Sequence, residues 1–304
     1  MDEVETAQPH QRPLWRRIAD YPLVAMLIAI VIYVAAVALS LFLGKLVPPI
    51  GKTAVAAIHA VITISILLAA YKFIIVRLGE RPKDDLPAKP ALGETAIGLG
   101  IGFGLMAASV AVAAGLGVYR IVGTGDSSML LLALIASAIM PGFTEELLFR
   151  GILFRWIEEF GGSWATLAVT SGLFGLAHIF NPGATWFSSF AIAVEAGVLL
   201  GGAYMLTRSL WLPMGLHAGW NFTQGEIFDV PVSGTPVHGL VEAQLSGPAL
   251  LTGGSFGLEA SVIALTIATG AGVWLVFRAV KKGELIAPHW ARKPDHETLA
   301  ETFA

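Results

Sequence analysis

The sequence predicts an all-α polytopic membrane protein with about eight transmembrane helices in one bundle. The first observation is composition: of 304 residues, 55% are hydrophobic and only 13% are charged. The second is a mean hydropathy of +0.72, which is too apolar for a soluble domain. The third is that the apolar residues form runs of roughly 20, long enough for a helix to cross a bilayer.

Turn residues and charges separate these runs and set their order along the chain. We predict membrane-spanning segments at residues 21–43, 53–76, 95–118, 128–152, 164–180, 186–206, 211–224 and 258–280. The first run is long for a signal-peptide core, so we expect it to be retained. The third contains Gly98, Gly100, Gly102 and Gly104, whose spacing favours close helix packing over a nucleotide-binding loop.

An even number of spans places both termini on one side of the membrane. Both ends are rich in Lys and Arg, whereas residues 225–257 contain neither, and Lys45 and Lys52 are exceptions to this pattern. The positive-inside rule therefore predicts cytoplasmic termini, and we expect a bacterial cytoplasmic membrane. The sequence divides into six predicted regions. They are a cytoplasmic N-terminal arm, N-terminal helices, a core that carries the polar residues discussed below, an external loop, a last helix and a cytoplasmic tail, at residues 1–20, 21–127, 128–224, 225–257, 258–280 and 281–304.

Composition also limits the chemistry and the partners. The chain has no Cys, which excludes disulfides, thiolate metal sites and a cysteine nucleophile. Its net charge of −3 does not suggest nucleic acid binding. The expected partners are the lipid bilayer and a membrane-associated protein or peptide.

Two adjacent carboxylates, Glu145 and Glu146, stand late in the fourth apolar run. An ionisable residue at bilayer depth is costly and is therefore a candidate for function. Glu146 and Arg150 are four residues apart and can pair on one helix face. Glu145 lies about 100° further round the helix and is left free. The structural alternative is a salt bridge at the end of a helix, at the membrane surface.

Further polar groups lie in the next three predicted spans. His178 is near the end of the fifth, Glu195 is isolated in the sixth, and His217 and Asn221 share one face of the seventh. Each can be explained singly as a buried hydrogen-bonding group, and we interpret Glu195 in that way. A carboxylate, two histidines and an amide together are a set suited to hydrolysis.

The fourth and fifth spans are predicted to form a hairpin that turns at Gly161 and Gly162. Glu145 and His178 lie at equal sequence distances from this turn, about 24 Å along each helix. The two side chains should therefore lie at the same depth.

The predicted chemistry is water activation. Glu145 is the candidate general base, His178 holds the water, and Asn221 and His217 donate to the oxyanion. Glu145, His178 and His217 also form a possible zinc-ligand set. Because the sequence lacks a His-Glu-x-x-His motif, we favour a mechanism without a cofactor and keep zinc as the alternative. Glu146 and Arg150 would support the site, or Arg150 would orient a substrate carboxylate.

Three short motifs resemble one known family. They are Glu145-Glu146-x-x-x-Arg150, Phe174-x-x-x-His178 and His217-x-x-x-Asn221. In this order they resemble the CPBP intramembrane proteases, also called the CAAX prenyl protease 2, Rce1-like or ABI family.

The resemblance implies an eight-helix intramembrane endopeptidase. It also implies that the first Glu and first His activate water, and that the second His and the Asn bind the oxyanion. Substrates would be CAAX-like or other small membrane-associated proteins, cleaved near the cytoplasmic leaflet. The alternatives are a non-enzymatic transporter or channel using Glu145 and Glu195, and a bacteriocin-immunity or scaffold protein with the same fold.

Overall fold

The computed structural model describes residues 13–79, 82–126 and 128–292, and it is predominantly helical. This confirms the prediction of an all-α polytopic membrane protein. Within those ranges six helices are long and apolar enough to cross a membrane, compared with eight predicted spans. They are Pro22–Gly44, Lys52–Arg77, Ala91–Gly115, Leu130–Phe180, Trp186–Thr207 and Val262–Lys282.

The helices α1 to α4 are Leu14–Asp20, Pro22–Gly44, Lys52–Phe73 and Ala91–Gly115. Helices α5 to α7 are Leu130–Ala133, Met140–Leu148 and Arg155–Ala177, and the remaining helices α8 to α11 are Trp186–Thr207, Trp211–Phe222, Ala249–Thr252 and Val262–Lys282. The single sheet within the described ranges pairs β1, Tyr119–Thr124, with β2, Val241–Leu245.

The difference in span count has two causes. The fourth and fifth predicted spans lie in one 51-residue helical stretch, Leu130–Phe180. This stretch is interrupted at Gly162, whose φ of 78° and ψ of 167° are not helical. At Gly162 the chain therefore turns near the predicted hairpin without a separate loop. The seventh predicted span forms α9, which has only 12 residues before a π-helical segment, Thr223–Ile227.

Helices α4 and α9 approach so closely that their backbones are in contact. A Cβ atom on Gly98 or Gly102 of α4 would overlap backbone atoms of α9. In the same way, a Cβ atom on Gly215 or Gly219 of α9 would overlap the backbone of α4. Gly98 and Gly102 are spaced four residues apart, as are Gly215 and Gly219, so each pair lies on one helix face. These contacts hold α9, which carries two of the predicted site residues.

Both described ends of the chain lie beside the interruption at Gly162. The Phe160 ring contacts Tyr21 with ring centroids 6.3 Å apart and Trp290 with centroids 5.7 Å apart. The Ser163 backbone N–H donates to the Ile286 carbonyl at 3.0 Å. We call this end of the bundle the terminal face.

Asp85 is a buried carboxylate at the terminal face. It accepts hydrogen bonds from the hydroxyls of Tyr71 at 2.9 Å and Tyr204 at 3.1 Å, and Lys83 pairs with it at 2.8 Å. Its carbonyl accepts from the Leu210 backbone N–H at 2.8 Å. Asp85 thus joins α3, α8 and the start of α9.

The opposite end of the bundle, which we call the loop face, carries the sheet and residues 228–261. Strands β1 and β2 are antiparallel, with Tyr119 opposite Leu245. Strand β2 lies within the segment that we predicted as an external loop. The side chain of Asp229 accepts from the backbone N–H groups of Gly239 and Ala243, both at 3.0 Å, and orders the path towards β2.

Candidate active site

The structure brings Glu145, His178, His217 and Asn221 to the wall of one cavity of about 390 Å³. They come from three parts of the bundle: α6, the end of α7 and α9. Glu145 and His178 therefore lie close together, as expected from their equal distances from the turn. The other lining residues are Met129, Leu132, Ala133, Ala136, Ser137, Pro141, Asn181, Val232, Ser233, Thr235, Pro236, Val237 and His238.

Glu146 and Arg150 form the predicted pair, with 2.9 Å between Glu146 Oε1 and Arg150 Nη1. Both side chains are buried, with exposures of 0% and 1%. Arg150 also donates to the Ala196 carbonyl at 3.2 Å, and its guanidinium lies 4.8 Å from the centre of the Phe174 ring. Arg150 does not line the 390 Å³ cavity. The guanidinium is buried and already paired, so the structure does not support the expectation that Arg150 orients a substrate carboxylate.

Glu145 differs from its neighbour because its side chain lines the cavity. Its buried Oε2 has no hydrogen-bond partner among the described residues. An unpartnered buried carboxylate oxygen is costly to maintain in a fold. Glu146 also has a buried Oε2 without a described partner, but it does not line the cavity and its Oε1 is paired with Arg150. Glu145 is therefore the carboxylate that a molecule in the cavity can reach.

Each histidine uses Nδ1 to fix its ring. His178 Nδ1 lies 2.7 Å from the Phe174 carbonyl, which can only accept, so Nδ1 carries a hydrogen, and in the neutral imidazole Nε2 then carries the lone pair. His217 Nδ1 lies 2.9 Å from Glu146 Oε1. Nε2 is thus the free nitrogen of both rings.

Phe174 packs against both histidines. Its ring centroid is 4.7 Å from that of His178 and 6.2 Å from that of His217. Its carbonyl also orients His178, as described above. Sequence reasoning used Phe174 only as a motif residue and did not identify this positioning role.

Asn221 is held by a segment whose role the sequence did not reveal. Its Nδ2 donates to the Ser137 carbonyl at 2.8 Å, and Ser137 lies in a π-helical segment, Leu134–Ile139. The Ser137 hydroxyl donates to the carboxylate of Glu226. Nδ2 has a second hydrogen that this bond does not use. In the sequence, Ser137 is one Ser in the same apolar run as the acidic pair, a pattern that is too common to single it out.

Glu195 lies beside the site in a second, smaller cavity of about 30 Å³. His178, His217, Asn221 and Glu259 also line this cavity, which has room for a water molecule. Glu195 Oε2 has no partner among the described residues. Glu259, which precedes the last span, accepts from the Ser233 backbone N–H, and burial raises its pKa to about 7. The interpretation of Glu195 as an isolated polar contact therefore omitted the neighbouring Glu259.

A metal set is not preformed here. Among the described residues, no three His, Asp or Glu side chains gather closely enough to hold a metal ion. Glu145, His178 and His217 therefore do not fit a bound zinc ion in this conformation.

The fold and the cavity together define a helical membrane protein in which Glu145, His178, His217 and Asn221 line one cavity. Residues 127–223 match the family model described as Type II CAAX prenyl endopeptidase Rce1-like. This match covers about a third of the chain, includes all the predicted site residues and confirms the resemblance to the Rce1-like family. It supports a protease that resides in the membrane and acts on a membrane-associated peptide. No curated protein and no solved structure matches the chain.

Proposed function

We propose that the chain is an intramembrane endopeptidase in which Glu145 activates water. The observation that carries the proposal is that Glu145, His178, His217 and Asn221, from three separate motifs, line one cavity. Of the two adjacent carboxylates only Glu145 lines that cavity, and its buried Oε2 has no partner among the described residues. We also propose that the protein resides in a bacterial cytoplasmic membrane and acts on CAAX-like or other small membrane-associated proteins.

The proposed reaction begins with a water between Glu145 and His178. Glu145 accepts one proton from the water, while His178 Nε2 accepts a hydrogen bond from the remaining O–H and so orients the hydroxide. The water oxygen then attacks the carbon of the peptide carbonyl, and the electrons of the C=O double bond move to the carbonyl oxygen. As the C–N bond breaks, Glu145 returns its proton to the leaving amine.

The oxyanion that forms during this attack needs donors that are already in place. His217 can donate from Nε2 when that nitrogen is protonated, and Asn221 from the second hydrogen of Nδ2. Both groups are already oriented, by Glu146 and by the Ser137 carbonyl. Preorganised donors of this kind lower the barrier because they do not have to reorient during the reaction.

The test uses protein purified in detergent and a library of membrane-anchored peptides. We expect Glu145→Gln to lower the cleavage rate by about 100-fold or more, since a general base contributes about 10²–10⁴-fold. Glu242→Gln is the matched control, because Glu242 lies exposed on β2 outside the cavity. Full cleavage by Glu145→Gln would contradict the proposal.

A parallel reaction with a strong chelator separates the two chemistries. Activity that persists supports the carboxylate mechanism without a cofactor. Activity that is lost and returns with zinc supports the alternative in which Glu145, His178 and His217 rearrange to bind the ion. The transporter alternative predicts ion flux that depends on Glu195.

A further inference from the structure

We propose that the catalytic cavity receives its substrate from the extracytoplasmic side of the membrane. We further propose that the substrate is an uncharged, apolar stretch of a membrane-anchored polypeptide on that side. The substrate part of this inference rests on the proposed peptidase function. The orientation of the cavity rests on the fold and on the distribution of Lys and Arg, and it does not depend on that function.

The position of the cavity follows from α11. Residues 232–238, which line the cavity, belong to the loop face, and Glu259 connects to them through Ser233 just before α11 begins. Helix α11 then runs for 21 residues, which corresponds to about 31 Å of helix. The chain beyond its end reaches Ser163 through Ile286. The cavity and the terminal face are therefore at opposite ends of a membrane-spanning helix.

The two faces differ sharply in basic residues. The terminal face carries most of the described Lys and Arg residues, namely Arg16, Arg17, Lys72, Arg77, Lys83, Lys89, Arg155, Arg208, Arg278, Lys281, Lys282 and Arg292. Contacts fix many of them there: Arg16 donates to the Arg77 carbonyl, and Arg208 pairs with Glu158 and Glu284. The loop face carries Lys45, Lys52 and Arg120, and residues 225–257 contain no Lys or Arg.

This asymmetry orients the protein. Basic residues near the ends of membrane spans remain in the cytoplasm, so the terminal face is cytoplasmic. The cavity at the loop face then opens away from the cytoplasm. The proposed placement departs from the sequence-based expectation of cleavage near the cytoplasmic leaflet, because sequence spacing gave the distance from the turn but not the position of the loop residues that line the cavity.

The lining of the cavity indicates what it can accept. Most of its described lining residues are apolar or uncharged, and none is Lys or Arg. Arg150, the nearby cation, is paired with Glu146. A substrate carboxylate would find no Lys or Arg there, and a substrate cation would find only the carboxylate of Glu145, which the proposed reaction needs free. The cavity therefore favours an internal bond in an uncharged stretch.

Cysteine labelling tests the orientation, because the native chain contains no Cys and gives no background. We would introduce His238→Cys at the rim of the cavity and, as a matched control, His289→Cys at the terminal face; both positions are exposed. In intact bacterial cells a membrane-impermeant maleimide should label His238→Cys at once and His289→Cys only after permeabilisation. The reverse pattern overturns the proposal.

A second experiment tests the substrate class. Two single-span reporters would carry the same apolar stretch next to the bilayer, one on the extracytoplasmic and one on the cytoplasmic side. We expect wild type, but not Glu145→Gln, to cut the extracytoplasmic reporter, and a Lys placed in the stretch to slow cleavage by about tenfold or more. Cleavage of the cytoplasmic reporter alone would overturn the proposal.

The two experiments separate two kinds of failure. If labelling shows the expected orientation but wild type cuts neither reporter, the substrate class is overturned and the peptidase function loses its support. If the labelling is reversed while peptides are still cleaved in detergent, the peptidase function stands and the extracytoplasmic entry is wrong.

Discussion

Glu145 and Glu146 are adjacent in sequence but occupy different environments. Glu146 contacts Arg150 and His217, both at 2.9 Å, and is fully buried. Glu145 lines the cavity with an unpartnered oxygen. One residue of helix turns a side chain by about 100°, which is enough to separate a structural carboxylate from a reactive one.

Glu146→Gln should destabilise the protein, unlike Glu145→Gln. The substitution leaves Arg150 as a buried charge without its partner, a change that costs about 3–5 kcal/mol in other proteins. We expect a clearly lower Tm in detergent for Glu146→Gln and a Tm close to wild type for Glu145→Gln, which breaks no described hydrogen bond. Equal melting of the two variants would contradict the division of roles.

Glu259 should make stability depend on pH. Burial raises its pKa to about 7 from the ordinary 4.5, while Ser233 and His217 act in the opposite direction and Glu195 lies close to it. The folded protein then binds a proton that the unfolded chain releases above about pH 4.5. This contribution favours folding at low pH and is lost as pH rises through about 7.

Glu259→Gln removes this titration. Relative to wild type, we expect its Tm to rise more at about pH 8 than at about pH 5.5, as measured by thermal unfolding in detergent. The exposed Glu242→Gln serves as the control. A difference in Tm between Glu259→Gln and wild type that is the same at both pH values would show that Glu259 does not carry the effect.

At the scale of elements, the contact between α4 and α9 fixes the helix that holds His217 and Asn221. Gly102 lies against the α9 backbone, whereas a Cβ atom on Gly104 would meet nothing within 4 Å. We therefore expect Gly102→Ala to lower both Tm and the cleavage rate, because the helices must move apart. Gly104→Ala is the matched control and should leave both unchanged. Comparable losses in both variants would contradict the packing argument.

Local spacing could predict part of these elements. The Glu146–Arg150 pair follows from four-residue spacing, and the matched depth of Glu145 and His178 follows from the helix rise. These relations depend on residues of one helix or one hairpin. The contact between His217 and Glu146 spans 71 residues, so helix rotation had to be known first.

The same limit explains what sequence patterns did not reveal. The pairing of β1 with β2 joins segments more than a hundred residues apart, and neither is long enough to show alternation clearly. The Asn221 bond to Ser137 depends on a π-helical segment that has no distinct composition. The proximity of Glu195 and Glu259 depends on the approach of α8 to the start of α11.

At the scale of the whole molecule, the two faces have separable roles. Asp85 ties α3, α8 and α9 together at the terminal face, far from the cavity. We expect Asp85→Ala to lower Tm by removing buried hydrogen bonds to Tyr71 and Tyr204, each bond contributing about 1–3 kcal/mol when its partner is left unsatisfied. The activity per folded molecule, measured after separating aggregated protein, should be unchanged. A selective loss of activity without a change in Tm would show that the faces are coupled.

Three π-helical segments stand in the helices that carry or hold the site: Leu134–Ile139, Phe149–Phe154 and Thr223–Ile227. Such turns are rare and occur often at functional sites. Each accommodates one residue more than an α-helical turn, so each is equivalent to a single-residue insertion. Deleting one residue from such a segment would let a regular helix form and rotate everything beyond it by about 100°. Relatives that differ by one residue in these segments would therefore present another face to the cavity, even with every motif residue retained.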